Sequence, residues 1–177
     1  MFPELVHTPR LTLRRWRSGD HQAFAAIWAD PDVARALWPE PDPDPAFVTA
    51  RFEHHLRHWD EHGFGLWASE ERTTGEVVGW VGPAHPTYVP ELEDAVEIAW
   101  TLRRAYWGRG LATEGARIAV ARVFGELELD EVVSLIDPVN NRSIAVAERL
   151  GMSGARTIRH PGAGTDLRVY VLPNLLR

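Results

Sequence analysis

Cysteine and lysine are absent from this chain of 177 residues, so its 19 lysine-or-arginine positions are all arginine. With no cysteine there is no disulfide framework and no thiolate nucleophile. With no lysine there is no Gly-Lys-Ser/Thr phosphate loop, which argues against a nucleotide triphosphatase. No apolar run approaches the roughly 18 residues that a membrane span needs. Residues 1–7 lack the basic start and apolar stretch of a secretory signal, so the expected setting is cytoplasmic, without a membrane partner. A basic tail is also missing, and a formal net charge of −6 disfavours direct binding to nucleic acid.

The rest of the composition, 45% apolar and 25% charged, suits one globular domain over residues 1–177 with a sizeable core. Of the eight tryptophans, most are expected in that core and a few along a cleft.

Periodicity divides the chain into alternating helices and strands. Residues 10–17 alternate as a half-buried strand, and Ser18-Gly19-Asp20 opens a helix with Phe24, Ile27 and Trp28 on its apolar side. A short turn carries Val33 and Leu37, and the four prolines of 39–45 predict a semi-rigid loop, either a connector or a rim over a substrate site. Residues 46–62 form a helix with Phe47, Phe52, Leu56 and Trp59 as its stripe. Its His54, His55, His58 and His62 form a possible metal face, since 54, 58 and 62 share one side, but no acidic or cysteine partner is clearly placed there. Solvent-facing histidines and no metal are expected. Strands at 64–69 and 76–81 flank a turn at 72–75, with Gly79 and Gly82 marking a bulge or a close backbone approach. After a loop at 85–94 come a central strand at 95–100, a helix at 111–124 and a strand at 132–136. A helix follows at 140–150, capped by Gly151, and two strands lie within 156–172 around a turn at 161–164. Ala112, Ala116 and Ala119 let the 111–124 helix lie close to the sheet. The class is α/β, a mixed central sheet flanked by helices.

Between the central strand and that helix stands Arg104-Ala-Tyr-Trp-Gly-Arg-Gly-Leu-Ala-Thr-Glu114. Gly108 and Gly110 permit a sharp turn with uncovered N–H groups. The helix start adds its own orphan donors and the positive end of its dipole. Such a loop is either a plain connector or a cradle for a phosphate. It is not the dinucleotide fingerprint, since Thr113 stands where a third glycine is required.

Four segments in order carry a wider likeness: Thr8-Pro-Arg-Leu-Thr-Leu-Arg14, Tyr106 to Glu114, Pro138-x-Asn140-x-x-Ser143, and Leu150-Gly151-Met152. With these the chain resembles acetyltransferases of the GNAT superfamily, in particular the branch of the ribosomal-protein alanine N-acetyltransferases. The likeness implies acetyl-coenzyme A as co-substrate and a sheet splayed between strands 95–100 and 132–136. It places the pyrophosphate on the loop of Gly108, Arg109, Gly110, Leu111, Ala112 and Thr113. The pantetheine arm would run along the main chain of Ile98 and Trp100. Arg104 and Arg109 either add positive charge there or are plain surface arginines. Trp107 occupies a position where the wider superfamily has Gln or Arg, and is a mark of the branch. Asn140 is either a helix N-cap or a contact to the pantetheine arm. Ser143 faces the thioester sulfur in relatives, as a proton donor, a hydrogen-bonding group or part of a water relay. None of Tyr88, Tyr106 and Tyr170 has an evident claim to the acid role, and Met152 departs from the aromatic of the family pattern.

Acetyl transfer to an amine requires a neutral nucleophile, hence a base. Glu97 is the first candidate: Val96 and Ile98 alternate with it across the strand, and a carboxylate in an apolar segment is costly unless it is used. Glu93, Asp94 and His85 stand behind it, an imidazole being a natural proton acceptor near neutrality. Acidic residues around 39–45 and 91–94 would attract a cationic amine. The expected acceptor is a protein or peptide N-terminal amine; a polyamine, an aminosugar or a non-catalytic acyl-coenzyme A-binding module are the alternatives, and a homodimer is compatible with either.

Overall fold

The computed structural model describes residues 1–37, 44–161 and 164–175. The expected proline-rich rim at 39–45 therefore lies mostly outside the described residues, as does the middle of the expected turn at 161–164. The strands are β1 (Leu5–His7), β2 (Leu11–Arg14), β3 (Trp67–Glu71), β4 (Val77–Ala84), β5 (Glu97–Leu102), β6 (Glu131–Ile136), β7 (Ser153–Arg159) and β8 (Asp166–Pro173). They form one sheet in the order β1-β2-β3-β4-β5-β6-β8-β7. Every neighbouring pair is antiparallel except β5–β6. The α-helices are α1 (His21–Trp28), α2 (Pro31–Leu37), α3 (Pro45–His62), α4 (Leu111–Glu126) and α5 (Asn141–Arg149).

Alternation along the strands sends side chains to two separate cores, one on each face of the sheet. Leu11, Leu13, Val81 and Ile98 meet Leu111, Ala116, Ala119 and Val123 of α4 on one side. Trp80, Ala68 and Leu66 meet Phe24, Ile27, Val33 and Phe52 of the α1–α3 layer on the other. Small residues set the approach of α4, as expected, and Gly115 sets it most tightly: a Cβ there would stand 2.7 Å from Val81 Cγ1. The bulge expected near Gly79 is present. Ser69 pairs with Gly79 and Glu70 with Val77, leaving Val78 as the extra residue. At Gly79 a side chain would collide with the Thr101 carbonyl.

Helix α3 begins where its sequence says it should. Asp44 accepts the Phe47 N–H at 2.7 Å, Pro45 occupies the first turn, and Gly63 closes the helix at φ 72°. Its buried face differs from the expected stripe. His55 and His58 are buried, not solvent-facing, at 7% and 3% exposure. His58 Nδ1 bonds the Phe64 carbonyl at 2.9 Å and its Nε2 accepts the His85 N–H at 3.0 Å, so this imidazole is a neutral tie between α3 and the end of β4. Burial pulls the His58 pKa down to about 4, and burial pulls His55 well below the usual imidazole value. Among the described residues no three His, Asp or Glu side chains come together as metal ligands. No described helix is long and apolar enough to cross a membrane.

The parallel junction is where the sheet opens. β5 pairs with β4 along its whole length, from Glu97 opposite Ala84 to Leu102 opposite Gly79. Against β6 it pairs at one register position, Glu97 opposite Val133, with Val133 N–H donating to the Val96 carbonyl at 3.0 Å. Beyond that point side chains replace the ladder: Ser134 Oγ donates to the Ile98 carbonyl at 2.6 Å, and Leu135 N–H donates to Glu97 Oε1 at 3.2 Å. The expected splay is thus present. Period two places the main-chain groups of Val96, Ile98 and Trp100 on the edge that faces the gap.

Candidate active site

A cavity of about 1110 Å³ runs through the splay, from the loop before α4 to the underside of α2 and α3. Four of the eight tryptophans, Trp28, Trp80, Trp100 and Trp107, line it, which is the cleft role foreseen for a few of them.

One end is built for an anion. Gly108 and Gly110 take positive φ of 71° and 77°, and Gly110 is the residue at which α4 begins. The first intrahelical bond is Glu114 N–H to the Gly110 carbonyl, so the N–H groups of Leu111, Ala112 and Thr113 have no helical acceptor. Nothing within 4 Å occupies the space a Cβ would take at Gly108, so the loop is open to a ligand as well as conformationally free. Arg117, Arg142 and Arg149 line the same cavity. These features fit a pyrophosphate.

The position of the loop comes from the other end of the chain. Glu114 Oε1 accepts from Thr8 Oγ1 at 2.6 Å and from Arg10 N–H at 2.9 Å, and Arg10 Nε donates to Glu114 Oε2 at 2.7 Å. Arg10 Nη1 donates to the Arg109 carbonyl at 2.7 Å. Two of the sequence segments that carry the likeness, separated by almost a hundred residues, are one hydrogen-bonded clamp. Trp107 is fastened as well, donating its indole N–H to the Leu102 carbonyl at 2.7 Å under the Arg142 guanidinium, 4.6 Å from the ring centre.

Two arginine expectations change. Arg104 is turned away: it pairs with Asp30 at 3.0 Å and Asp32 at 3.4 Å and does not line the cavity. The opposite charges on the α1–α2 corner capture it. Arg109 lies over the Tyr106 ring at 5.1 Å, and its side chain does not line the cavity either. Of the arginines that do line it, Arg117, Arg142 and Arg149 come from α4 and α5 on the side of the glycine turn. Arg142 lies between Asn140 and Ser143 in a segment already singled out, so its place in the chain offered a signal.

The other end holds the titratable groups. Val96 and Ile98 enter the α4-side core, which leaves Glu97 on the opposite face, lining the cavity. Glu97 is buried at 7% exposure. Burial raises its pKa to about 7, opposed by the Leu135 N–H, the Tyr88 hydroxyl and the nearby Arg51 charge. Tyr88 O–H donates to Glu97 at 3.2 Å, and its ring stacks on His160 at 5.5 Å. Burial raises the Tyr88 pKa well above the usual phenol value. Tyr88, dismissed on sequence grounds, is thus the hydroxyl nearest the proposed base. It lies in an irregular loop with no periodic or motif signal that could have found it.

Ser143 and Asn140 line the cavity from the α5 side. Asn140 Oδ1 accepts the Ser143 N–H at 3.1 Å, so the N-cap role is real and coexists with a place in the cavity wall. His85 lines the cavity with Nδ1 bonded to the Ala95 carbonyl at 2.9 Å. Glu91, Glu93 and Asp94 do not line it, which leaves Glu93 and Asp94 outside the reacting space.

Comparison with known proteins follows the same lines. Residues 10–153 match the family described as "Acetyltransferase (GNAT) domain". The chain is 32% identical over 161 residues to the protein YkkB of Bacillus subtilis, covering 86% of this chain and 87% of that one. It is similar to an acetyltransferase structure from Agrobacterium tumefaciens, with TM-score 0.81 and 30% identity over 96% of this chain and 94% of the other. A ribosomal-protein-S5-alanine acetyltransferase from Vibrio fischeri shares the fold, with TM-score 0.75 and 19% identity over 97% of each chain.

Proposed function

Since the chain belongs to the GNAT acetyltransferase family, an acetyl-coenzyme A-dependent group, we propose that Glu97 serves as the base for acetyl transfer to a primary amine. The observation that carries this is the placement of Glu97 at the point where β5 and β6 part, buried, hydrogen-bonded and held near neutrality in its pKa. Acetyl-coenzyme A, when bound, supplies the acetyl group as an activated thioester. The N–H groups of Gly108 to Thr113 hold its pyrophosphate, with Arg142 beside them. The main-chain edge at Ile98 and Trp100 receives the pantetheine amides as an added strand would be received. Glu97 removes the proton from the incoming ammonium, since only the neutral amine attacks. Tyr88 holds the carboxylate in place. As the C–N bond forms the C–S bond breaks, coenzyme A leaves as its thiolate, and a proton passed on through the Ser143 or Tyr88 hydroxyl neutralises it. Holding both reactants in one cavity supplies much of the remaining acceleration. We take residues 1–177 as a single acetyltransferase domain, supported by all eight described strands belonging to one sheet.

The first acceptor to test is the N-terminal amine of a peptide or protein; the Vibrio fischeri enzyme that shares the fold is named for an alanine of ribosomal protein S5. A small amine is the second reading. It is favoured by a partial match, 35% identical over 99 residues, to an Aspergillus fumigatus protein named FsC-acetyl coenzyme A-N(2)-transacetylase, of which the match covers 41%. Thiol release from acetyl-coenzyme A across a panel of amines, with mass identification of the product, tests the reaction. Glu97→Gln should lower kcat/KM about a hundredfold or more while coenzyme affinity is retained. In the wild type, kcat/KM should rise with pH and reach half its plateau near pH 7. A protein that binds the coenzyme and acetylates no amine would instead be a binding module.

A further inference from the structure

Arg51 is the charged group on the acceptor side that the reaction so far leaves without a task. It lies on α3, one turn before His54 and His55, and lines the cavity with them. Among the described residues no carboxylate pairs with its guanidinium and no hydrogen bond is formed by it. It is mostly buried, and the charge that acts on it is that of the Glu97 carboxylate when ionised. A buried cation without a partner is costly, and such a cost is removed when a ligand brings the missing charge.

Among the described residues the surroundings offer that charge no paired carboxylate. Asp32, which also lines the cavity, is already engaged by Arg104 at 3.4 Å and Arg35 at 3.3 Å. Arg35, His54 and His85 contribute no negative charge. Glu97 and Arg51 therefore form a separated pair of opposite sign across the acceptor space. An ammonium directed to Glu97 and a carboxylate directed to Arg51 would match both. A polyamine or aminosugar would place a second cation where Arg51 stands.

We propose that the acceptor is an amine that carries a carboxylate, received by the Arg51 guanidinium in a forked pair while the amine faces Glu97. The carboxylate comes either from a free amino acid or from an acidic residue next to a peptide N-terminus. The assignment rests on the acetyltransferase reading and refines its substrate class.

The test compares matched acids and amides as acceptors: the free amino acids against their carboxamides, and Ala-Glu-initiated peptides against Ala-Gln-initiated ones. In the wild type, one acid series should exceed its neutral counterpart roughly tenfold or more in kcat/KM, mostly through KM. Arg51→Gln should bring that ratio to about one, and Arg51→Lys, which keeps the charge without the fork, should restore part of it. Coenzyme affinity should be the same in all three proteins. Which series shows the preference identifies the source of the carboxylate. Equal turnover of acids and amides, turnover confined to neutral or polycationic amines, or an acid preference that survives Arg51→Gln would each overturn the proposal. Failure of the wild type to bind acetyl-coenzyme A would overturn the reading beneath it instead.

Discussion

Glu97 is placed at a cost to stability, and the cost depends on pH. Its folded pKa of about 7 lies above the ordinary carboxylate value of 4.5, so the folded state binds its proton more tightly than the unfolded chain does. The stability this contributes is complete below pH 4.5 and is lost as pH rises through 7. The loss is on the order of 2–3 kcal/mol. Glu97→Gln should therefore melt higher than the wild type at pH 8, by roughly 5 °C for a domain of this size, and equal to it near pH 4. Thermal melts of the two proteins at both pH values check this. Tyr88 acts in the opposite direction, because its hydroxyl stabilises the ionised carboxylate. Tyr88→Phe should move the rising limb of the pH–rate profile to higher pH by about one unit, a shift that simple loss of packing would not produce.

At the scale of elements, the loop before α4 and the N-terminal strand work as one part. Thr8 and Arg10 hold Glu114, and Arg10 also holds the Arg109 carbonyl, so the glycine turn is presented in one orientation. Arg10→Ala should raise the KM for acetyl-coenzyme A about tenfold with kcat changed less than about twofold, because the clamp touches binding and not the reacting groups. Steady-state kinetics with the coenzyme varied is the measurement. Helix α3 is tied by its buried histidines, and their sign is opposite to that of Glu97. His58, with a folded pKa near 4 against 6.5 in the unfolded chain, contributes stability above pH 6.5 and loses it as pH falls through 4. The rings of His54, His62 and His85 surround it and resist its charging. Between pH 4.5 and 6.5 the two effects partly cancel in the wild type. In Glu97→Gln the histidine effect is unmasked, and stability should rise on the order of 2 kcal/mol from pH 4 to 6.5, as read by denaturant titration.

For the molecule as a whole, the sheet has two independent cores on its two faces, and the cavity lies where one parallel pairing gives way between them. Alternation and helical spacing determined the order and type of the main elements, because burial on one face leaves a period that can be read along the chain. They missed β1, whose three residues are too few to show alternation, and α2, whose seven residues span barely two helical turns and so read as a short turn. They also missed the burial of His55 and His58, because polar residues in a core do not mark its periodicity. The glycine turn and the unusual carboxylate were also evident in the sequence. Both are local exceptions to rules about backbone and burial, and exceptions of that kind can be seen without a fold. The partners were not evident. That Arg104 answers Asp30 and Asp32, that Tyr88 reaches Glu97, that Thr8 and Arg10 grasp Glu114, and that Arg51 has no paired carboxylate among the described residues depend on segments brought together from distant parts of the chain. Side-chain chemistry belongs to the sequence, but charge pairing, desolvation and reach are properties of neighbours, and the tertiary structure alone decides which residues are neighbours.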